Sequence, residues 1–189
     1  MNEKIFVTLH GVKKIVMKIK KESNMATTEE QEKEETTGME SLKKLLAKGM
    51  VKKIAEHSGS LYRLTGTVVS GNHIGKKIGF PTANLQLADS SQPVPANGVY
   101  ATFVYVGNET TAWKAMTNIG TRPTFSGSVV TIETHIFDFD EDIYGERLTV
   151  SFLDRVRDEK CFSDVSDLIA QLQKDSEVCL KLLSKVSFP

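Results

Sequence analysis

The sequence predicts an all-β core, an antiparallel barrel or sandwich, with an α-helix after it and a helical extension before it. Two observations predict this. From residue 64 onward, runs at 64–69, 98–106, 111–117, 129–139 and 147–153 are short and rich in β-branched and aromatic residues. Turn-forming residues separate them, among them Pro93, Pro95, Asn97-Gly98, Gly107-Asn108, Arg122-Pro123, Ser126-Gly127 and Tyr144-Gly145.

In chain order, residues 1–38 read as a disordered or weakly structured extension. Residues 1–24 interleave apolar residues with six lysines, which fits an amphipathic surface helix or a short unstable segment. Residues 27–37 contain no apolar side chain and read as an acidic disordered linker. A connector helix follows over 39–57, where Leu42, Leu45, Leu46, Val51 and Ile54 recur near helical spacing and Gly49 bends or splits it. The main domain is then 58–189. Its last helix begins near Ser163, an N-cap with Asp164 and Asp167 in the first turn. Val165, Leu168, Ile169, Leu172, Cys179, Leu180 and Leu183 make up its buried stripe.

Composition narrows the function classes. The 24 basic and 24 acidic side chains of the 189-residue chain cancel, so no bulk attraction to nucleic acid or an anionic membrane is expected. Two cysteines, Cys161 and Cys179, are too few for a disulfide framework or a zinc site, and they suit a reducing cytoplasm. No apolar run approaches bilayer length. The stretch from Ile5 to Leu9 is broken by His10-Gly11 and followed by lysines, a poor signal peptide.

The segment 71–84 concentrates chemistry. Gly71, Gly75 and Gly79 let backbone approach a ligand closely, Lys76 and Lys77 bring positive charge, and Thr82 and Asn84 present neutral oxygens one residue apart. Those are the parts of a cradle for nucleotide phosphates and their Mg²⁺. A hairpin loop with solvated lysines, or a turn capped by Thr82 and Asn84, fits the same residues. Further on, strand alternation places Thr131, Glu133, His135 and Phe137 on one face, with Val130, Ile132, Thr134 and Ile136 on the other. A carboxylate among residues so apolar is unusual, because an unpaired buried charge is costly. A solvent-facing strand glutamate is the plainer account.

Four motifs in order carry a resemblance to a known family. They are the 71–84 segment ending in Pro81-Thr82-Ala83-Asn84, then Asn118-Ile119-Gly120-Thr121-Arg122-Pro123-Thr124-Phe125, then Glu133-Thr134-His135 with Tyr144-Gly145, then Arg157-Asp158-Glu159-Lys160 with Phe162. Together they resemble the riboflavin kinase family, as found in the C-terminal half of bacterial bifunctional riboflavin kinase/FAD synthetases. The similarity runs from about residue 61 to 183. It implies a six-stranded antiparallel Greek-key barrel and transfer of the ATP γ-phosphate to the 5′-hydroxyl of riboflavin, giving FMN. It implies Glu133 as catalytic base, and Thr82 and Asn84 as ligands of Mg²⁺, with Zn²⁺ or Mn²⁺ able to replace it. Gly71, Gly75, Lys76, Gly79, Thr82, Asn84 and Tyr144 would then bind ATP, and Arg157, Lys160 and Phe162 the flavin. Lys76 stands where many bacterial members carry arginine, which exchanges a bidentate fork for a point charge. From pattern alone, the charges 157–160 read equally as a solvated surface, and Tyr144 as a packing residue. Gly120 and Pro123 fix a turn framing the cleft, and Arg122 reaches a phosphate or an acidic neighbour. His135 is assigned a structural hydrogen bond and Trp113 a packing role. No paired-histidine adenylyltransferase motif precedes the connector, so FAD synthesis is not expected and a separate FAD synthetase becomes a candidate partner. The rival function is a flavin-binding regulatory module, or a kinase subunit without independent turnover.

Overall fold

A computed structural model describes residues 28–124 and 127–186. The lysine-rich reading of 1–24 therefore lies outside the described residues, as does Phe125. Helix α1 (Thr28–Ala47) and helix α2 (Val51–Ser58) come first, separated around Gly49 as its presence suggested. Gly49 has a left-handed φ of +66°, and an added Cβ would stand 2.6 Å from Arg155 Cδ. The start of α1 differs from expectation, since the supposed linker is helical from Thr28. Its Glu, Gln and Lys are good helix formers, so a missing apolar stripe removed the sign of burial without removing helix propensity. Leu42, Leu46, Val51 and Ile54 are buried in one cluster with Tyr62, Tyr100 and Phe152.

Six strands follow: β1 (Tyr62–Val69), β2 (Ala83–Leu87), β3 (Gly98–Val106), β4 (Trp113–Thr124), β5 (Gly127–Ile136) and β6 (Arg147–Arg157). All neighbours are antiparallel, and the barrel closes in the order β1-β2-β5-β4-β3-β6, a Greek-key path. Closure leaves no exposed sheet edge. The strand β3 is buried on both faces, which explains its nearly continuous apolar sequence. Tyr100 and Val104 join the interior cluster, whereas Val99, Ala101 and Phe103 meet the C-terminal helix. Inside, the hydroxyls of Thr102, Thr117 and Thr134 form a buried chain with 2.9 and 3.0 Å links, so these polar groups satisfy one another.

Some expected boundaries were wrong. Strand β2 was not foreseen, because a five-residue stretch beside a proline carries little pattern. Gly120 and Pro123 were read as a turn, yet β4 continues through both, pairing them with Thr131 and Ser128. Strand β6 continues to Arg157, past its expected end at residue 153.

A one-turn helix α3 (Ile74–Lys77) lies between β1 and β2. After β6, Asp164 rather than Ser163 caps helix α4 (Val165–Leu183), its carboxylate accepting from the Ser166 N–H at 2.6 Å. The stripe expected on α4 is narrower than foreseen. Cys179 and Leu183 are buried, together with Asp175, but Val165 and Leu180 are 59% and 37% exposed. The fully buried residues of α4 lie in its second half; Leu168 and Leu172, nearer its start, line a cleft, and Leu172 also packs against the barrel wall.

Candidate active site

One level of the barrel carries the chemistry. Asn84 on β2 pairs with Glu133 on β5, Glu133 with Asn118 on β4, Asn118 with Val99 on β3, and Val99 with Arg157 on β6. The residues beside them on their strands, such as Ala83, Ile132, Thr134, Thr117 and Ile119, are buried. Alternation therefore turns the whole row to the outer face of the barrel. There it lines a cleft of about 380 Å³ with Gly75, Thr82, Lys160 and Phe162.

A second hollow of about 470 Å³ is lined by Lys76, Phe139 and Tyr144, and it shares Thr82 with the first. The residues assigned to flavin and to base catalysis thus gather in one hollow, and Lys76 and Tyr144 in the other. Gly71 and Gly79 line neither. Gly75 lines the first hollow, and each of the three glycines also has a role in the loop itself. A Cβ on Gly71 would lie 2.3 Å from Asn84 Nδ2, and one on Gly75 would lie 2.2 Å from the Phe80 carbonyl oxygen. Gly79 has a left-handed φ of +83° with open space around it.

The Glu133 side chain is 30% exposed and forms an ion pair with Arg122, whose Nη2 is 3.6 Å from Oε1. Arg122 therefore reaches an acidic neighbour. Arg157 is held more firmly. Its Nε and Nη2 donate to both oxygens of Asp175, the shortest contact being 2.7 Å, and its Nη1 donates to the Asp158 carbonyl at 2.8 Å. With side chains 14% and 3% exposed, this pair is no solvated surface run. The Gln171 amide donates to Asp175 at 2.8 Å, and Lys160 donates to Gln171 at 3.2 Å. Asp175 was missed in the sequence, where its one signal was an acid within an apolar helical stripe.

His135 donates through Nδ1 to the Pro81 carbonyl at 2.8 Å, a structural bond that ties β5 to the segment before Thr82. Trp113 packs edge-on to Phe139 at 5.1 Å between centroids, as its packing role requires. Tyr144, 51% exposed, sits with its hydroxyl 3.3 Å from His73 Nδ1. Asn118 and Glu159 also line the cleft without having been singled out, and Glu159 accepts from Asn97 at 2.9 Å.

Among the described residues, no group of three or more His, Cys, Asp or Glu side chains is placed to hold a metal. Thr82 and Asn84 offer neutral hard oxygens instead, and neither side chain has a protein hydrogen bond among the described residues. Such a set suits Mg²⁺, which binds few protein oxygens and completes its shell with phosphate and water.

The fold is a closed antiparallel β-barrel whose main cleft lies on the outer wall. More particularly, the chain belongs to the riboflavin kinase family: the Flavokinase family model, described as riboflavin kinase, matches residues 58–183. A bifunctional riboflavin kinase/FMN adenylyltransferase from Haemophilus influenzae is 40% identical over 119 residues, covering 63% of this chain and 38% of that one. This chain thus spans well under half the length of that relative. A Streptococcus pneumoniae crystal structure described as a macrolide-efflux protein matches with a TM-score of 0.67 and 40% identity, over 72% of this chain and 44% of that one. Riboflavin kinase from Trypanosoma brucei shares the fold, with a TM-score of 0.50 and 22% identity over 67% of this chain and 82% of that one.

Proposed function

We propose that this chain transfers the γ-phosphate of ATP to the 5′-hydroxyl of riboflavin, giving FMN and ADP. The observation that carries this reading is that two hollows meet at Thr82, directly beside the row holding Asn84 and Glu133. Riboflavin would lie in the first hollow, its flat ring against Phe162 and the apolar side chains of α4, its polar rim toward Arg157 and Lys160. ATP would lie in the second, with Lys76 near its phosphates and Tyr144 beside the adenine.

Glu133 accepts the proton of the ribityl hydroxyl as that oxygen bonds to the γ-phosphorus. The bond from γ-phosphorus to the β–γ bridging oxygen breaks, and ADP leaves with its electron pair. Thr82 Oγ1 and Asn84 Oδ1 would hold Mg²⁺. When bound, the ion neutralises charge on the phosphates, and Zn²⁺ or Mn²⁺ could stand in its place. Because the transition state of phosphoryl transfer is loose, the main task of these residues is alignment. The shared level on the barrel wall supplies that alignment. The cytoplasm suits two free cysteines, one exposed and one buried. FMN made here would pass to a separate FAD synthetase.

The test is to incubate the protein with riboflavin, ATP and Mg²⁺ and separate the flavins by chromatography, with Glu133→Gln in parallel. FMN from the native chain and a loss of about 10²-fold or more in the variant are expected, the usual contribution of a general base. Flavin binding without FMN would overturn the kinase reading in favour of a regulatory module.

A further inference from the structure

The site poses an electrostatic problem. A carboxylate close enough to take a proton from the attacking hydroxyl lies within a few ångströms of a phosphoryl group that is itself anionic. Two anions so close repel unless a cation lies between them. Three cationic side chains line the first hollow: Arg122, Arg157 and Lys160. Arg157 is fixed by its contacts with Asp175 and Asp158, and Lys160 is engaged with Gln171. Arg122 is the one that touches Glu133.

Its placement follows from β4. Asn118, Gly120 and Arg122 share the outer face, and Gly120 between them has no side chain. Arg122 pairs in register with Val129, four residues before Glu133, so its guanidinium reaches back along the strand pair to the carboxylate. The contact is loose, at 3.6 Å, and the arginine side chain is 50% exposed, so it is free to turn. A planar guanidinium presents several donors at once and can bind a carboxylate and a phosphoryl oxygen together, which an ammonium cannot do with the same geometry.

We propose that Arg122 is a catalytic residue of the transfer step, bridging Glu133 and the γ-phosphoryl group as the hydroxyl attacks. This rests on the kinase reading above. Before substrates enter, it holds Glu133. When ATP is bound, it shares its donors with the γ-phosphate and offsets the repulsion between phosphoryl group and base.

The experiment compares native protein, Arg122→Gln and Arg122→Lys in two measurements. One is FMN formation, resolved into kcat and the KM of each substrate. The other is equilibrium binding of ATP and of ADP with Mg²⁺ by calorimetry. In Arg122→Gln, kcat should fall about 10²-fold, the effect of removing one preorganised donor to developing charge. The KM for riboflavin should change little, and the preference for ATP over ADP should fall about tenfold. Arg122→Lys should recover part of kcat. An unchanged ATP-over-ADP preference in Arg122→Gln, or an unchanged kcat where the native chain makes FMN, would overturn the proposal. If the native chain made no FMN, the kinase reading would fail, and the two nucleotide affinities would still decide whether Arg122 meets the terminal phosphate.

Discussion

Thr82 and Asn84 present their oxygens on the same side of the chain because one residue separates them in extended backbone. Asn84 is further located by Gly71, whose missing side chain leaves the space its amide occupies. If these oxygens hold the metal, Thr82→Val or Asn84→Ala should raise the Mg²⁺ concentration needed for half-maximal FMN formation about ten- to a hundredfold, since a contact to a charged partner is worth ~1.5–3 kcal/mol. Activity titrated against Mg²⁺ at saturating ATP and riboflavin would measure it. A drop in maximal rate with no change in Mg²⁺ requirement would remove them from the metal site. At this scale the sequence was informative about identity and poor about partners. Glu133 was visible as an acid in an apolar strand, but its ion pair with Arg122 depends on two strands whose register no local pattern reveals.

At the scale of elements, α4 does two things along one length. Leu168 and Leu172 wall the cleft, Leu172 also touching the barrel, whereas Cys179 and Leu183 are buried on the barrel. Asp175 lies between these parts and anchors Arg157. Removing one partner of a buried pair leaves the other charge unpaired, at a cost of ~3–5 kcal/mol. Asp175→Asn should therefore lower the urea midpoint and also raise the KM for riboflavin, because Arg157 loses its fixed orientation. A stability loss with riboflavin KM unchanged would show Arg157 to be structural only. Strand β3 was read with its observed ends because burial on both faces makes it apolar throughout. The short β2 and the charged end of β6 were not, because their pairing comes from neighbours on other strands.

For the molecule as a whole, the Cys179 thiol reports on closure of α4 over the barrel. Burial pushes its pKa up from an ordinary 9.0 to about 12; nearby Asp175 adds to the rise and Arg157 opposes it. The folded state therefore holds this proton more tightly than the unfolded chain. Its contribution to stability is complete below pH 9 and is lost as pH rises toward about 12, by up to ~1.4 kcal/mol per pH unit. Urea unfolding from pH 8 to 10.5, native against Cys179→Ala, should show an alkaline decline that is steeper in the native protein. At pH 8, a thiol reagent should label exposed Cys161 quickly and Cys179 only on unfolding. The fold class was legible because strand spacing and turn residues are local. Its closure into a six-stranded Greek-key barrel was reached through resemblance and its strand order was not read at all, since which strand pairs with which is decided by contacts far apart in sequence.

The single row running from Asn84 through Glu133 to Arg157 ties correctness to durability. A slip of one residue in β5 would swing Glu133 into the barrel and turn Ile132 or Thr134 out to water. The same error that blinds the site would thus empty the core. A misassembled copy would bury a carboxylate and expose apolar side chains, making it a substrate for proteolysis rather than a long-lived inactive competitor for flavin. The geometry that aligns the chemistry also acts as a proofreading device for the chain that performs it.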